Sequence, residues 1–378
     1  MDYQTAYAET TGGDSSENAR SAVKAIQDGL KDSDAAVVLY FASPTHYEPH
    51  TLAAEMHAAF PSATTFGCTS AGEIATGHLL KDSVVAMVFS SEVFEETAFV
   101  SAESIDGDMH VVDKLFEELE KQLGQSVRKL DFRRYLGFIL IDGLSLTGEK
   151  VLERAGELTD VIFTGGCAGD DGKFEKTYVF HNGKALENGV AFALLKPRKA
   201  FGIIKTQSLI TTDIVLEANK VDEDKHVIWE FNGKPAAEAY AEAMRVTVDE
   251  LAPEHFAAWP LALMAAGEPF VRNVATVVEN GGLRLYTTPM EGMRYTVTRA
   301  SDIIRDTAHA IEEKRRELGS ISAIVNINCL FRDLLVRQVG EEAEFGKLFN
   351  FCPCVGFSSY SEIYIGIVNQ TATMVAFS

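Results

Sequence analysis

Three apolar, β-branched runs occur along the chain, and each is followed by a helical stretch and a second, shorter apolar run. The first runs span 34–43, 134–143 and 322–331, and the helical stretches span about 51–59, 148–158 and 340–348. About 30 residues separate the middle of each first run from the glycine that follows the second run, which is a normal length for a β-α-β crossover. The pattern therefore predicts three β-α-β segments.

A glycine-rich loop follows each second run, with the sequences GCTSAGEI at 67–74, GGCAGDD at 165–171 and GFSSYSEI at 356–363. Further strands are predicted after the loops, at 83–90 and 371–378. A hairpin that turns at Asn182-Gly183 connects 178–180 to 189–195, because Asn-Gly between strand-like runs favours a tight turn. Helices are also predicted at 108–123, 235–244 and 301–318, and strands at 227–231, 256–264, 274–279 and 283–286.

These elements indicate an α/β protein in which duplicated β-α-β-β units form mixed sheets covered by helices, arranged as two halves. The predicted domains are a loose N-terminal lead-in at 1–29, an α/β domain at 30–220 and a second α/β domain at 221–378. A chain of 378 residues exceeds what one hydrophobic core usually supports, which favours two domains. In such folds ligands bind where loops leave the strand ends.

The acidic composition narrows the range of partners. The net charge is −21, from 55 acidic and 34 basic residues, which disfavours binding to nucleic acid and to anionic membranes. No stretch reaches the roughly 20 apolar residues that span a bilayer, and the first residues lack the basic and apolar regions of a secretory signal. We expect a cytoplasmic protein with neither nucleic-acid nor membrane partners.

The number of cysteines also fits the cytoplasm, because five cysteines cannot all form disulfides and thiols are normally reduced in that compartment. They are Cys68, Cys167, Cys329, Cys352 and Cys354. The Cys352-Pro353-Cys354 spacing is tighter than that of zinc sites, so a metal there needs ligands from elsewhere. A redox or metal role for this pair stays open as the alternative.

The loops supply the first candidate ligand-binding residues. Glycine permits close backbone approach, hydroxyls supply hydrogen bonds, and a glutamate at the same place in two loops suits an ammonium group or a basic neighbour. The candidates are Gly67, Cys68, Thr69, Ser70, Glu73, Gly166, Asp170, Ser358, Ser359 and Glu362. The alternative is a set of tight turns whose hydroxyls cap local backbone groups.

Other charged residues extend this set. The guanidinium groups of Arg272 and Arg332 suit a two-pronged clamp on a carboxylate, and the alternative for Arg332 is an internal salt bridge to a glutamate or aspartate. Asp142, Asp170 and Asp171 offer oxygen ligands for a divalent cation, against the alternative of turn capping.

Cofactor and catalytic chemistry rest on weaker signals. His46 and His50 flank a loop after the first strand and, with His181, are candidate haem ligands, while the absence of a Cys-x-x-Cys-His motif excludes covalent haem. No Gly-x-Ser-x-Gly elbow is present. We therefore favour a protein that is not an enzyme, and keep a Cys68 or acidic-loop enzyme as the rival interpretation.

The chain resembles FIST-domain proteins along about residues 30–378. FGCTSAGEI at 66–74, TGGCAGDDGKF at 164–174 with its Asn182-Gly183 hairpin, and FNGKPAAEAY at 231–240 are similar to the N-terminal half of that family. Phe270-Val271-Arg272, Cys329-x-x-Arg332, GFSSYSEI at 356–363 and Asn369-Gln370-Thr371 resemble its C-terminal half. The resemblance adds Cys329 and Asn369 to the candidate ligand-binding residues.

The resemblance implies a sensory, ligand-binding module of bacterial and archaeal signalling, for which ligands such as amino acids have been proposed. Some stand-alone members bind haem and sense nitric oxide, so a haem-b nitric oxide sensor is the alternative function. No output segment is visible in this sequence. We therefore expect a sensor that binds a small ligand between its halves and regulates a separate histidine kinase or diguanylate cyclase/phosphodiesterase.

Overall fold

The structure is a computed structural model that describes residues 1–10, 12–30, 34–105, 107–265 and 267–378. Two units with the same order of elements form its first half. Unit 1 contains β1 (Tyr3–Glu9), α1 (Ser15–Gly29), β2 (Ala35–Ala42), α2 (Pro49–Ala59), β3 (Thr64–Thr69), β4 (Glu73–Ala75), β5 (His78–Leu80) and β6 (Ser83–Ser90). Unit 2 contains β7 (Phe94–Ala102), α3 (His110–Leu123), β8 (Leu136–Ile141), α4 (Gly148–Leu158), β9 (Phe163–Cys167), β10 (Val179–His181), β11 (Lys184–Leu186) and β12 (Val190–Pro197).

A third unit follows, and an inserted module interrupts it after its first strand, β13 (Phe201–Gln207). The insert contains β14 (Leu209–Asp222), β15 (Val227–Phe231), β16 (Lys234–Pro235), α5 (Ala236–Met244), α6 (Pro253–Ala258), β17 (Leu261–Ala265), β18 (Glu268–Val271), β19 (Val274–Val278), β20 (Gly282–Leu285) and β21 (Arg294–Ala300). Unit 3 then resumes with α7 (Ile303–Leu318), β22 (Ala323–Cys329), α8 (Leu330–Val339), α9 (Glu342–Lys347), β23 (Cys354–Ser359), β24 (Glu362–Tyr364), β25 (Gly366–Val368) and β26 (Thr371–Phe377).

Each unit forms a mixed sheet, and its short hairpin pairs with the sheet of another unit. The strand orders are β1-β6-β2-β3, β7-β12-β8-β9 and β13-β26-β22-β23, with the last two strands of each parallel. Hairpin β4-β5 of unit 1 completes the sheet of unit 3, β10-β11 of unit 2 completes that of unit 1, and β24-β25 of unit 3 completes that of unit 2. The exchange runs once around the molecule and closes, so the three units form a cyclic pseudo-threefold arrangement.

One glycine in each parallel pair is required by this packing. Gly67, Gly165 and Gly356 lie opposite Tyr40, Ile139 and Asn326 on the neighbouring strand. A Cβ added at any of the three would overlap the carbonyl oxygen of that neighbour. These glycines therefore lie inside strands, and the close approach of two backbones explains them.

The hydrophobic core lies between the inner faces of the three sheets. It includes aromatic side chains from every unit, such as Phe41, Phe66, Phe138 and Phe377, all buried. Helices cover the outer faces, with separate clusters under α1 and α2, under α3 and α4, and under α7 to α9. The mixed α/β sheets covered by helices that the sequence predicted are confirmed. No helix in the described ranges is long and apolar enough to cross a membrane.

The N-terminal residues differ from the expected loose lead-in. Strand β1 pairs along its whole length with β6, and α1 buries Ala19, Ala22, Val23 and Ile26. Asp14 caps this helix by accepting hydrogen bonds from two backbone N–H groups. The four buried residues have the spacing of one helical face. The sequence therefore contains the apolar period of a helix here, although it covers only two turns. The predicted domain boundary at 220/221 stays a prediction and falls near the end of β14.

Two further assignments need correction. The strand predicted at 322–331 ends at Cys329, and α8 begins directly after it. This helix buries Arg332 and Asp333, and charged residues at buried positions conceal the apolar period that identifies a helix. The strand predicted at 256–264 is instead α6 followed by β17, with Pro253 at the first turn of the helix.

Candidate functional site

The three glycine-rich loops bind one another through their backbones. Each loop exchanges hydrogen bonds with segments of the other two units, so the donors are used within the protein. The bonds run from Ala71 N to Ser358 O (2.9 Å), Ser358 N to Gly72 O (2.7 Å), Gly169 N to Thr69 O (3.0 Å), Cys167 N to Ser361 O (2.8 Å) and Tyr360 N to Cys167 O (3.2 Å). The loops therefore join the three units at the carboxyl ends of their parallel strands.

Glu73 is fully buried in this junction. Its carboxylate accepts hydrogen bonds from the Ser70 hydroxyl and from both the backbone N–H (3.1 Å) and the hydroxyl (2.7 Å) of Ser83. Burial raises the pKa of Glu73 to about 8, against the lowering effect of those hydrogen bonds. The carboxylate connects the end of β3 to the start of β6.

Glu362 occupies the same place in unit 3. It accepts hydrogen bonds from the Ser359 hydroxyl (2.7 Å) and the Thr371 N–H (3.1 Å), and burial raises its pKa to about 8. The expected equivalence of Glu73 and Glu362 is thus visible in their matching partners. Their role in ligand binding stays a prediction, because both carboxylates are bonded inside the protein.

Unit 2 lacks both the buried glutamate and its serine partners. The strand registers place Ala168, Val179 and Gly189 where unit 1 has Ser70, Glu73 and Ser83. The carboxylate and its hydroxyl donors are therefore absent together, as expected for groups that satisfy one another in a buried place. This joint replacement favours a structural role for the two glutamates.

Two of the predicted cation-binding aspartates, Asp142 and Asp170, cap turns. Asp170 accepts the Phe174, Glu175 and Lys176 N–H groups at 2.6–2.8 Å, and also the Tyr360 hydroxyl. The Asp142 carboxylate accepts the Leu144 and Asn188 N–H groups. Gly166 pairs with Glu362 across the β9-β24 contact. Within the described ranges, no group of three or more His, Cys, Asp or Glu side chains is placed to hold a metal ion.

The cysteine thiols are all buried and unpaired with one another. Burial raises the pKa of Cys68, Cys167 and Cys329 above the usual range, and it raises that of Cys352 to about 12. A buried thiol that keeps its proton is a poor nucleophile, so the geometry gives no support to a Cys68 enzyme.

Arg332 is fully buried and bonds to neutral groups. Its guanidinium donates to Asn328 Oδ1 (3.0 Å), Ser208 Oγ (3.3 Å) and Thr307 Oγ1 (2.7 Å). Burial lowers its pKa to about 10, and the negative charges of nearby groups, Glu362 among them, oppose the shift. Arg332 thus ties α8 to β22, α7 and the entry of the insert. Asn369 similarly accepts the Asn273 N–H (3.4 Å) of the insert.

The three candidate haem ligands lie apart. His46 Nε2 lies 3.2 Å from Asp82 Oδ1, and the His50 ring packs against Tyr178. His181 Nδ1 bonds to the Ser101 hydroxyl (2.8 Å), and burial lowers the pKa of His181 to about 4.

The space near His181 does not fit haem. Its Nε2 has no partner among the described residues, which suits a ligand. However, the apolar cavity lined by the adjacent Phe66 and Phe99 rings has a volume of only about 30 Å³. That is room for about one or two waters, far too little for a porphyrin.

Among the predicted ligand-binding residues, Arg272 lines a large groove. The groove has a volume of about 1210 Å³ and lies between α4, β13, the β24-β25 hairpin and the insert. Arg272 Nη1 donates to the Ile367 carbonyl (3.3 Å) of that hairpin, while Nε and Nη2 make no hydrogen bond to the described residues. Burial lowers the pKa of Arg272, and Glu149 opposes the shift.

The lining of the groove carries charges of both signs. Glu149 and Glu153 lie on one face of α4, and Lys205 lies on β13 with its Nζ 4.9 Å from the centre of the Phe270 ring. At the rim, Ile365 is 70% exposed and has a φ of 65°, which is a strained conformation for a β-branched residue. The sequence did not identify Glu149, Glu153 or Lys205, because only the tertiary fold brings them together.

Most residues that line the groove lie in two segments that match two family models. The FIST N domain model matches residues 36–234, and the FIST C domain model matches residues 236–365. The chain belongs to the FIST family. FIST domains are recognised as sensory domains that bind small ligands. In this FIST protein the groove lies at the seam between the two matched segments.

This FIST protein is also similar to one curated relative. "Uncharacterized protein MJ1623" of Methanocaldococcus jannaschii is 22% identical over 334 residues, which cover 80% of this chain and 64% of the relative. The chain thus spans less than two thirds of the length of that relative. A solved structure titled "T. maritima PurL complexed with FGAR" aligns with a TM-score of 0.19 at 11% identity, over 99% of this chain and 73% of that one. A likeness this low carries no argument.

Proposed function

We propose that this protein is a sensor that binds a small zwitterionic ligand, such as an amino acid, in the groove at the seam of its two FIST segments. The observation that carries the proposal is the presence of both cations and carboxylates in the lining of one groove. Arg272 and Lys205 suit an anionic group, whereas Glu149 and Glu153 suit an ammonium group. Phe270 adds an apolar surface beside them.

The position of the groove supports a sensory role. A ligand there would contact α4 of unit 2, the hairpin that unit 3 donates to unit 2, and the insert. Binding would therefore stabilise one relative arrangement of these parts over others, which is the physical basis of a ligand-controlled signal. We propose that the signal passes to a separate histidine kinase or cyclic-di-GMP enzyme.

No observation favours a haem-based version of this function. The candidate histidines are distributed over separate elements, and none of them lines the groove. We therefore retain the organic ligand as the proposal.

Isothermal titration calorimetry with a panel of the twenty common amino acids tests the proposal. We expect at least one to bind, and the Arg272→Gln variant to bind it about tenfold or more weakly, because a charged hydrogen-bonding partner is lost. Arg316→Gln is the matched control, since Arg316 is exposed on α7 and pairs with Glu312. The proposal fails if no amino acid binds, or if Arg272→Gln and Arg316→Gln bind the ligand equally well.

A further inference from the structure

A second cavity lies where the three loops meet the insert. Its volume is about 440 Å³, and every unit contributes to its lining, including Ala71 of unit 1, Gly172 of unit 2 and Leu330 of unit 3, with Pro253 from the insert. None of the residues that line the groove lines this cavity. The cavity is therefore a separate candidate site.

Negative charge predominates in its lining. Asp82, Asp171, Glu254 and Asp333 line the cavity against a single cation, Lys81. Asp171 is held in place by hydrogen bonds from the Ser43 hydroxyl (2.8 Å) and the Thr45 hydroxyl (2.5 Å). The net charge of −21 for the whole chain adds a long-range attraction for cations.

Asp333 contributes a second feature besides its charge, a buried oxygen atom without a hydrogen-bond donor in the described part of the chain. Its side chain is fully buried, and its Oδ2 accepts a hydrogen bond from Arg337 Nε (2.8 Å). Its Oδ1 has no hydrogen-bond partner among the described residues. A buried carboxylate oxygen without a donor is costly, so a ligand that brings an N–H group would satisfy it.

Aromatic rings form the remaining part of the lining. Phe174, Tyr286 and Phe331 all line the cavity, and the ring centres of Tyr286 lie 6.2 Å from Phe174 and 5.9 Å from Phe331. Phe174 is further stacked on Tyr360 at 4.4 Å. The faces of such rings attract organic cations, so the aromatic groups and the carboxylates favour the same kind of ligand.

We propose that this cavity binds an organic cation that bears N–H donors, an alkylammonium or guanidinium compound. Its charged group would bond to the Asp333 carboxylate and lie against the faces of the Phe174 and Tyr286 rings. Because the lining comes from all three units and the insert, such a ligand would stabilise the junction of the loops. This site is independent of the groove proposed above.

Calorimetric titration of the full chain with putrescine tests the proposal, with 1,4-butanediol as an uncharged analogue of the same length. We expect saturable binding of putrescine, at least tenfold tighter than any binding of the diol. Phe174→Leu should weaken putrescine binding about fivefold or more, because the cation–ring attraction is lost. Phe132→Leu, on another exposed aromatic residue, is the matched control and should bind normally.

Asp333→Asn should abolish putrescine binding, with far-UV circular dichroism to show that the variant folds. If it does not fold, Phe174→Leu against Phe132→Leu decides the result. Absence of putrescine binding, equal binding of the diol, or equal binding by Phe174→Leu and Phe132→Leu would overturn the proposal. Arg272→Gln should leave the affinity for putrescine unchanged. The proposals for the groove and for the cavity can therefore be refuted separately.

Discussion

The buried carboxylate of Glu73 predicts a loss of stability with rising pH. Burial raises its pKa from the usual 4.5 to about 8. The folded chain therefore keeps this proton to a higher pH than the unfolded chain does. The stabilisation is complete below about pH 4.5 and is lost as the pH rises through about 8, and it amounts to on the order of 5 kcal/mol.

Replacement of Glu73 by glutamine removes the ionisation and keeps the shape. The amide oxygen can accept both Ser83 donors, and the amide nitrogen can donate to the Ser70 hydroxyl oxygen. We expect Glu73→Gln to match the wild type within about 2 kcal/mol near pH 5.5, where only about 1.4 kcal/mol of the ionisation effect is present. Near pH 9 the variant should be more stable by roughly 3 kcal/mol or more, because the wild type alone must ionise the buried group.

Replacement by valine copies the residue that unit 2 has at this place. Glu73→Val leaves the Ser83 N–H and the hydroxyls of Ser70 and Ser83 without their acceptor, which should cost about 2–4 kcal/mol. The triple variant Ser70→Ala, Glu73→Val, Ser83→Gly removes both hydroxyls as unit 2 does. It should recover about 1 kcal/mol of that loss.

Equilibrium unfolding in urea, followed by far-UV circular dichroism near pH 5.5 and pH 9, measures these differences. Trp229 and Trp259, the two tryptophans of the chain, both lie in the insert, so their fluorescence reports on the insert while dichroism reports on the whole chain. Glu117→Gln, on the exposed side of α3, is the control. A Glu73→Gln difference that stays constant between the two pH values would refute the reasoning.

Three further predictions follow from the same packing. Gly356→Ala should prevent stable folding or cost more than about 3 kcal/mol, because its Cβ overlaps the Asn326 carbonyl oxygen; Gly156→Ala, with open space around it, should be neutral or stabilising in thermal melts. Arg332→Met should cost about 2–5 kcal/mol in urea unfolding, since three buried acceptors lose their donor; a cost under about 0.5 kcal/mol would contradict this. The five buried thiols should react with Ellman's reagent at least about tenfold faster in denaturant than in native buffer, and fast native reaction of any thiol would count against their burial.

Local signals in the sequence were sufficient for much of the secondary structure. The parallel strands β2, β8 and β22 and the helices α3, α4 and α7 lie where the apolar periods predict them. The turn at Asn182-Gly183 is present, with both residues at positive φ. The predicted partner strand at 189–195 is wrong, because β10 pairs with β11, whereas β12 pairs with β7 and β8 in another sheet. Errors occurred where buried polar residues interrupt the period, as in α8, or where a proline starts a helix, as in α6.

The candidate site was less accessible to sequence reasoning. Arg272 was identified and lines the groove, whereas Glu149, Glu153 and Lys205 come from elements that are distant along the chain. The pattern of serine and glutamate in two loops suggested ligand binding. In the structure the serine hydroxyls donate to the glutamates of their own loops, so a buried turn has the same residue pattern. Sequence spacing alone does not distinguish a carboxylate that faces a ligand from one that faces its own fold.

The sequence by itself determined the repeated unit, because strand and helix periods and the close-approach glycines are local properties of the chain. Only the tertiary structure decided how the units combine. Each hairpin pairs with the sheet of another unit, and this pairing depends on contacts between residues far apart in sequence. That exchange buries the loops that first suggested a ligand site, and it places the open groove and the acidic cavity at contacts between units and insert.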